Sequence, residues 1–291
     1  MSAVGAGRAG VGAPVGRDRG RPTATLLVST YEWPAALHLV LRSVLAQRTL
    51  PAQVVVADDG SGEETRALVA RFVPRLAALG VPLVHAWHPD EGFRLAAIRN
   101  RALAAATGEY VLMVDGDCVL HPDFVRSHLA FARPGTFVQG SRVLVSEARA
   151  RQALERGETH FGLLDPGLKN RQNALSLPLL SHLVRTPQDS LRGTRGCNMA
   201  YWLADAVRVN GFNERFVGWG REDSEFVARM LAARLVRRRF KFGGIVYHLW
   251  HPERPRSTVD DNNALYEQVV RQGATWCEPG LDRYLRPPGA D

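Results

Sequence analysis

The run Val111-Leu112-Met113-Val114-Asp115-Gly116-Asp117 sets two carboxylates, one residue apart, at the end of an apolar segment. Such a pair repels itself and loses hydration together, unless a cation or a ligand hydroxyl compensates. A hard divalent cation carrying a diphosphate is a suitable partner, because it prefers oxygen ligands. Asp-Gly-Asp is equally good turn chemistry. The pair acquires a chemical meaning only from the groups that accompany it.

Four such groups are present. Ser29-Thr30-Tyr31-Glu32 and Asp58-Asp59 each follow another apolar run. If the three runs are parallel strands, their carboxyl ends converge on the edge where α/β sheets bind ligands. There carboxylates accept from base N–H or ribose hydroxyls, while Thr30, Asp58 and Asp59 also suit helix starts. Gly92 to Asn100 contains Arg94 and Arg99 at the start of a predicted helix, and helix N-termini and guanidinium groups both favour phosphate. Gly218-Trp219-Gly220-Arg221-Glu222-Asp223 combines a turn-forming pair of glycines, a flat indole face suited to a sugar ring, and two acids. One acid can serve as a general base, although acids at a helix start also suit its dipole. In Tyr247-His248-Leu249-Trp250-His251, an imidazole from His248 beside Asp117 would complete a cation site, with His251 ranked below it. His38, His85, His88, His121, His128, His160 and His182 show no ligand spacing and are read as structural.

These residues need elements to position them. Strands are predicted over 23–29, 53–57, 82–87 and 111–118. Between them lie helices beginning at Pro34, after Ser61 with Glu64 as a capping box, and at Leu95. Leu37, Val40, Leu41, Val44 and Leu45 form one apolar stripe of the first helix. Strand and helix thus alternate, which predicts a mostly parallel sheet with helices on both faces. Further on, a helix is predicted over 122–132, strands over 136–145 and 197–203, a helix over 222–234, a last strand of the same sheet over 244–249, and a surface helix over 261–271. The stretch 146–195 is weakly patterned and reads as a functional loop or lid.

Composition narrows the classes. The chain has 291 residues, 45% hydrophobic and 23% charged, enough to bury a large core. Its net charge of +8 favours anionic partners. Nucleic acid is not expected among them, because the only dense basic cluster, Arg237-Arg238-Arg239 with Lys241, reads as a solvated strand edge or a contact with anionic membrane. No apolar run reaches the ~18 residues of a membrane span. Residues 1–22 lack a signal-like apolar core and read as a disordered basic tail. Three widely spaced cysteines argue against a disulfide framework and for a cytoplasmic location, with peripheral contact at the inner face of the membrane as an option.

In this order and spacing, Val28-Ser29-Thr30-Tyr31, Val56 to Ser61, Gly92 to Asn100, Asp115-Gly116-Asp117, Gly211-Phe212-Asn213-Glu214, Gly218 to Asp223 and His248 resemble the GT-A glycosyltransferases of family 2. The C-terminal part is similar to the galactosyltransferase and chondroitin-polymerase group. The resemblance implies an α/β, Rossmann-like GT-A domain over 23–260, with a nucleotide-binding half (23–120) and an acceptor-binding half (121–260), followed by a C-terminal helix and tail (261–291). It implies inverting, metal-dependent transfer from a nucleotide-diphosphate sugar to a glycan or lipid-linked acceptor, in bacterial surface polysaccharide or lipopolysaccharide synthesis. Thr30, Glu32, Asp59, Arg94, Arg99, Asn100 and Asp115 would contact the donor. Asp117 and His248 would hold Mn²⁺ or Mg²⁺. Asp223 would be the base, with Glu222 assisting, and Trp219 and Gly220 would meet the acceptor. Arg221 stands where the resemblance leads one to expect a glycine. A catalytically silent binding protein and a nucleotidyltransferase are the alternatives. The latter would want a Gly-rich basic loop where Ser29 to Pro34 stands.

Overall fold

In the computed structural model, residues 21–184, 191, 193–252 and 259–285 are described. The expected N-terminal tail, apart from its last two residues, and the end of the C-terminal tail lie outside the described residues. The first half alternates as its apolar runs require: β1 (Ala24–Thr30), α1 (Pro34–Leu45), β2 (Gln53–Asp58), α2 (Glu63–Ala77), β3 (Leu83–Trp87), α3 (Leu95–Ala104) and β4 (Tyr110–Asp115). The second half follows with β5 (Cys118–Leu120), α4 (Phe124–Phe131), β6 (Thr136–Gly140), β7 (Arg142–Val145), α5 (Glu147–Arg156), β8 (Leu168–Lys169), β9 (Asn198–Trp202), α6 (Leu203–Arg208), α7 (Glu222–Ala232), β10 (Val236–Phe240), β11 (Val246–His248) and α8 (Val259–Gln272).

Seven strands form the main sheet in the order β10-β6-β9-β4-β1-β2-β3, all parallel except β9. Its central strands are buried on both faces, which explains why their sequences are continuously apolar. Leu26, Val28, Val54, Val56, Leu112 and Val114 face one helical layer with Leu37, Val40, Phe72 and Phe124. Leu27, Val55, Val111 and Met113, the intervening residues, face the other with Ile98, Phe212, Phe226 and Met230. The register Ser29↔Asp115 and Thr30↔Asp58 brings the three strand ends level at one edge.

The structure corrects several expectations. Residues 136–145 are two strands in different sheets, and residues 246–248 leave the main sheet. β5, β11, β7 and β8 form a separate four-stranded sheet. The pivot is Asn198: its amide donates to the carbonyls of Ser141 (2.8 Å) and Gly244 (2.7 Å), where both chains cross between sheets. Gly140 is required beside it, since a Cβ there would lie 2.3 Å from the Asn198 amide. The stretch 146–195 is not a bare loop. It contains α5, whose Ala150 and Ala153 are buried, and Arg149 joins Glu158 and Asp165, both at 2.7 Å. Charged residues outnumber apolar ones in α5, which hides its helical period.

Ser61 does not cap α2. Gly62 occupies that position, and Ser61 Oγ accepts the Glu32 backbone N–H at 2.9 Å. The arginine cluster lies on the edge strand β10, but Arg237 is buried and Arg238 stacks on Phe131, so only part of the cluster faces outward. The short elements β5, β8 and α6 went unforeseen. No helix among the described residues is long and apolar enough to cross a membrane.

A buried ion pair ties α7 to the turn that follows α6. Arg229 and Glu225, both without exposure, meet at 2.7 Å on α7. The Arg229 guanidinium also donates to the carbonyls of Val209 and Gly211, and Asn213 donates to Glu225 at 3.2 Å. Replacing one partner strands a buried charge. Arg229→Met is expected to cost about 3–5 kcal/mol, read as a lower midpoint of urea unfolding. A midpoint within error of the parent would contradict this role.

Candidate active site

Arg99 is the centre of the site. It sits in α3, 1% exposed, directly behind the strand ends. Its Nε donates to Ser29 Oγ (3.2 Å), one Nη to Asp115 (3.2 Å) and the other to Asp223 (2.7 Å), with Glu222 3.7 Å away. Burial works against its charge, but Asp223, Asp115 and Glu222 outweigh this and push its pKa up. Three of its five N–H groups are engaged in these bonds, by which Arg99 joins β1, β4 and α7 from within.

The carboxylates around it differ. Withdrawal from water, reinforced by Asp223, pushes Glu222 up to about 8 against the pull of Arg99. It is therefore a proton donor at neutral pH, and its Oε2 is buried without a hydrogen-bond partner among the described residues. Asp115 is pushed up to about 6, by withdrawal from water first and by Asp117 and Asp223 second, again opposed by Arg99. Asp223 has the closest pairing with Arg99 and an accessible side chain. Space for its carboxylate depends on Gly196, where a Cβ would fall 2.3 Å from Asp223 Oδ2. Nothing in the sequence around Gly196 announces this.

Gly116 has a similar reason. Its N–H donates to the Ser29 carbonyl at 2.6 Å, and a Cβ would lie 2.9 Å from that oxygen and 3.0 Å from Thr30 Oγ1. The glycine lets the chain turn sharply, so Asp115 faces Arg99 while Asp117 turns to the small sheet. There Asp117 Oδ2 lies 3.7 Å from His248 Nε2 and 3.3 Å from His251 Nε2. Burial lowers the His248 pKa, favouring the neutral imidazole that ligates metals. His251 Nδ1 lies 2.7 Å from the Pro252 carbonyl. A carbonyl only accepts, so Nδ1 donates to Pro252, and Nε2 faces Asp117. His251, brought in by the turn after β11, approaches Asp117 more closely than His248 does. Cys118 completes a cluster with Asp117 and His248 whose ligand atoms lie within 4.8 Å of one another. Burial pushes its thiol pKa well up, so the sulfur stays a poor ligand for a hard cation. One carboxylate and two imidazoles offer mixed oxygen and nitrogen donors, which suit a divalent transition cation better than the oxygen-preferring Mg²⁺.

The other expected donor residues divide in two. Asp59 is buried, with Oδ1 2.7 Å from His88 and Oδ2 accepting the Arg94 backbone N–H at 3.0 Å. It holds the start of α3, and burial raises its pKa despite those bonds. His88, read as structural, is its partner. Asn100 is fully buried and clamps Phe212 through both amide atoms, at 2.7 and 2.8 Å. Both residues also hold backbone in place, Asp59 at the start of α3 and Asn100 at Phe212. Thr30, Glu32 and Arg94 remain at the strand-end rim. Glu32 adopts φ 46° and accepts the Gly62 N–H at 2.6 Å, and Arg94 pairs with Glu91.

The Gly218–Arg221 loop is tied on both sides. Gly218 N–H donates to the Phe93 carbonyl (2.9 Å), and the Asn262 amide donates to the carbonyls of Val217 (3.2 Å) and Trp219 (3.4 Å). Trp219 is 41% exposed, and Gly220 has φ 110°. Arg221 keeps the left-handed backbone of a glycine, φ 75°, while its side chain lies on α8 against Asn263 (2.6 Å) and Tyr266. The substitution leaves the loop's path unchanged and directs the cation away from Asp223.

Comparison with known proteins places this geometry. Residues 25–184 match the model of glycosyl transferase family 2, and residues 184–252 match that described as the N-terminal domain of galactosyltransferase. Chondroitin synthase of Escherichia coli is 27% identical over 251 residues, covering 80% of this chain and 36% of that protein. Validoxylamine A glucosyltransferase of Streptomyces hygroscopicus subsp. limoneus is 27% identical over 239 residues, covering 72% and 48%. The chain spans less than half the length of these curated relatives. Among solved structures, the mannosyltransferase PcManGT from Pyrobaculum calidifontis, in complex with GDP-Man and Mn²⁺, superposes with a TM-score of 0.56 at 21% identity, covering 89% of this chain and 67% of that one. GalNAc-T7 with UDP, GalNAc and Mn²⁺ gives 0.63 at 14% identity, covering 87% and 48%. These likenesses show the fold, which is of the GT-A type. With its family model matched over more than half its length, the chain belongs to glycosyl transferase family 2.

Proposed function

We propose that the chain transfers a sugar from a nucleotide-diphosphate donor to a glycan hydroxyl, with inversion at the anomeric carbon, in the synthesis of a bacterial surface polysaccharide or lipopolysaccharide. The carrying observation is that Asp115, Glu222 and Asp223 converge on one buried arginine, beside the Asp117, His248 and His251 cluster. The donor lies at the ends of β1, β2 and β4, bordered by Thr30, Glu32, Arg94 and Asp115. The acceptor lies under Trp219 and Gly220.

Asp223 takes the proton of the acceptor hydroxyl. The new bond forms from that oxygen to the anomeric carbon as the bond to the diphosphate oxygen breaks, and the electron pair leaves with the diphosphate. One base on the face opposite the leaving group suffices, unlike the paired carboxylates of glycoside hydrolases. Glu222, protonated at neutral pH, donates a hydrogen bond to the acceptor. Arg99 holds Asp223 and Asp115 in fixed relation, so the base and the donor contact move as one body. Asp117, His248 and His251 would hold a divalent cation, which when bound neutralises charge on the leaving diphosphate.

Two measurements test this. Thermal shifts with UDP, GDP, CDP and dTDP sugars, with and without Mn²⁺, are expected to single out a donor by ligand-linked stabilisation. Asp117→Ala is expected to remove the Mn²⁺-dependent part of the shift. Asp223→Asn should retain the shift yet lower turnover by ~10²–10⁴-fold. Full turnover in Asp223→Asn, or an unchanged Mn²⁺ effect in Asp117→Ala, would refute these roles.

A third concerns Glu222 alone. Its folded pKa, about 8, lies above the ordinary carboxylate value of 4.5, so between those limits the folded state binds more protons than the unfolded. Its contribution to stability is full below the lower limit and fades as pH rises through the upper one. Glu222→Gln is therefore expected to raise Tm relative to the parent more at pH 8 than at pH 5. Equal offsets at both values would show that Glu222 is not held protonated.

A further inference from the structure

Arg142 opens β7, in the small sheet that also carries His248. The register sets Arg142 opposite Val246, and His248 opposite Cys118. Side chains alternate along a strand, so Arg142, Val246, His248 and Cys118 share one face. The intervening residues, Val119, Val143 and Tyr247, pack on the other. The first face is turned to the main sheet, since Cys118 and Val246 belong to the same core as Val114 and Phe124.

A run of contacts joins Arg142 to the cation cluster. One of its Nη atoms lies 3.9 Å from Cys197 Sγ. Cys197 is in hydrogen-bond contact with the Cys118 thiol, and Cys118 Sγ lies 3.5 Å from Asp117 Oδ1. Cys197 precedes Asn198, which pairs with Val114, so it stands level with Asp115. The charge of Arg142 accordingly acts on two groups of the site. Burial raises the Asp115 pKa, and Arg142 joins Arg99 in opposing the rise. Burial lowers the His248 pKa, and Arg142 lowers it further, against the pull of Asp117.

The position is built. The Asn198 amide donates to the Ser141 carbonyl (2.8 Å), and the Asn173 amide donates to the carbonyl of Arg142 itself (2.9 Å). The Arg142 side chain is half-buried. Among the described residues its guanidinium makes one side-chain hydrogen bond, to the Cys197 sulfur. A thiol is a weak acceptor for a group that carries five N–H donors.

β9 lies on the side of β4 away from β1 and β2. With the nucleoside at the ends of β1 and β2 and a cation at Asp117, the β9 side of the edge receives the terminal phosphate and the sugar. Gly196, which makes room for the Asp223 carboxylate, is on that side too. We infer that Arg142 is a further catalytic residue, whose guanidinium pairs with the terminal phosphate of the donor's diphosphate. When the bond from the anomeric carbon to the phosphate oxygen breaks, its electron pair stays on that oxygen, and the terminal phosphate gains one negative charge. The acceptor's proton goes to Asp223, so the new charge on the phosphate is met by cations. A divalent cation meets part of it, and an arginine fork matches phosphate oxygens two at a time. As a leaving-group contact this role rests on the transferase reading, whereas a phosphate contact at Arg142 does not.

The test uses the full chain and reads binding. Affinities are measured by calorimetry with Mn²⁺ at fixed ionic strength, for the parent, R142Q and R142K. The probes are UDP, GDP, CDP and dTDP, each beside its monophosphate, and inorganic pyrophosphate, which carries neither base nor sugar. In the parent, pyrophosphate and one of the nucleoside diphosphates are expected to bind. R142Q is expected to weaken both about tenfold or more, while the matching monophosphate stays within about twofold of the parent. R142K keeps the charge without the fork and is expected to fall between. Equal diphosphate affinity in the parent and R142Q would overturn the proposal. So would a loss shared equally by the monophosphate, which marks a structural effect. If R142Q does not fold, R142K decides on the same two outcomes. If no nucleotide sugar shifts Tm in the parent while pyrophosphate binds and R142Q weakens it, the transferase reading fails and the phosphate contact stands. If a nucleotide sugar shifts Tm but the variants bind diphosphate as the parent does, the transferase reading stands and the role of Arg142 fails.

Discussion

Everything in this structure turns on the fact that a guanidinium cannot be left alone in a protein interior. Arg99 lies in the centre of the molecule, and taking such an ion from water costs several kcal/mol unless partners replace the water. Those partners are the end of β1, the end of β4 and the start of α7, through Ser29, Asp115 and Asp223. The reverse constraint holds with equal force. Three carboxylates converging on one edge would repel each other without a cation between them. The arginine and the acids therefore specify one another, and the strands and helices that carry them are brought into one arrangement. This arrangement is held by the protein's own groups.

The same arrangement sorts the acids by function. Asp223 stands closest to the cation, and Gly196 leaves its carboxylate open. Glu222 stands farther off and is more buried, so burial dominates and it keeps its proton. Adjacent residues at one helix start thus acquire different environments by a difference in distance to a single arginine. Across Gly116, Asp117 is directed away from Arg99 toward His248 and His251. A cation held there sits apart from the guanidinium, so the two positive centres do not compete for the same carboxylate.

Much of this could be read in the chain beforehand, and the exceptions have a common cause. The parallel sheet was legible because β1, β2 and β4 are buried on both faces and so lack polar interruptions. The chemistry at the strand ends was legible because Asp, His and Arg are costly to place there without purpose. What could not be read is partnership across the fold. Arg99 and Asn100 are adjacent in a motif that points at phosphate. Yet one faces carboxylates up to 124 positions away, and the other clamps the Phe212 backbone. Asp59 spends both its oxygens on His88 and Arg94. A residue type states what chemistry is available, and only the fold states whether that chemistry is turned inward or toward a ligand. α5 was missed for a different reason: its buried face is two alanines, too small to leave an apolar stripe among Arg and Glu.

The acceptor rim shows how far backbone conformation can survive a change of side chain. A non-glycine residue in the left-handed region costs about 1–2 kcal/mol, and Arg221 carries that strain at φ 75°. The hydrogen bond to Asn263 and the stack on Tyr266 offset it, and both belong to α8, which packs along α7. The loop is anchored to the start of α3 through Gly218 and Phe93, to α8 through Asn262, and to α7 by continuity. The backbone on either side of Trp219 is thus held in place. Since Phe93 precedes Arg94, whose N–H donates to Asp59, the Gly218–Arg221 loop and the segment after β2 are both tied to the start of α3, the helix that also carries Arg99.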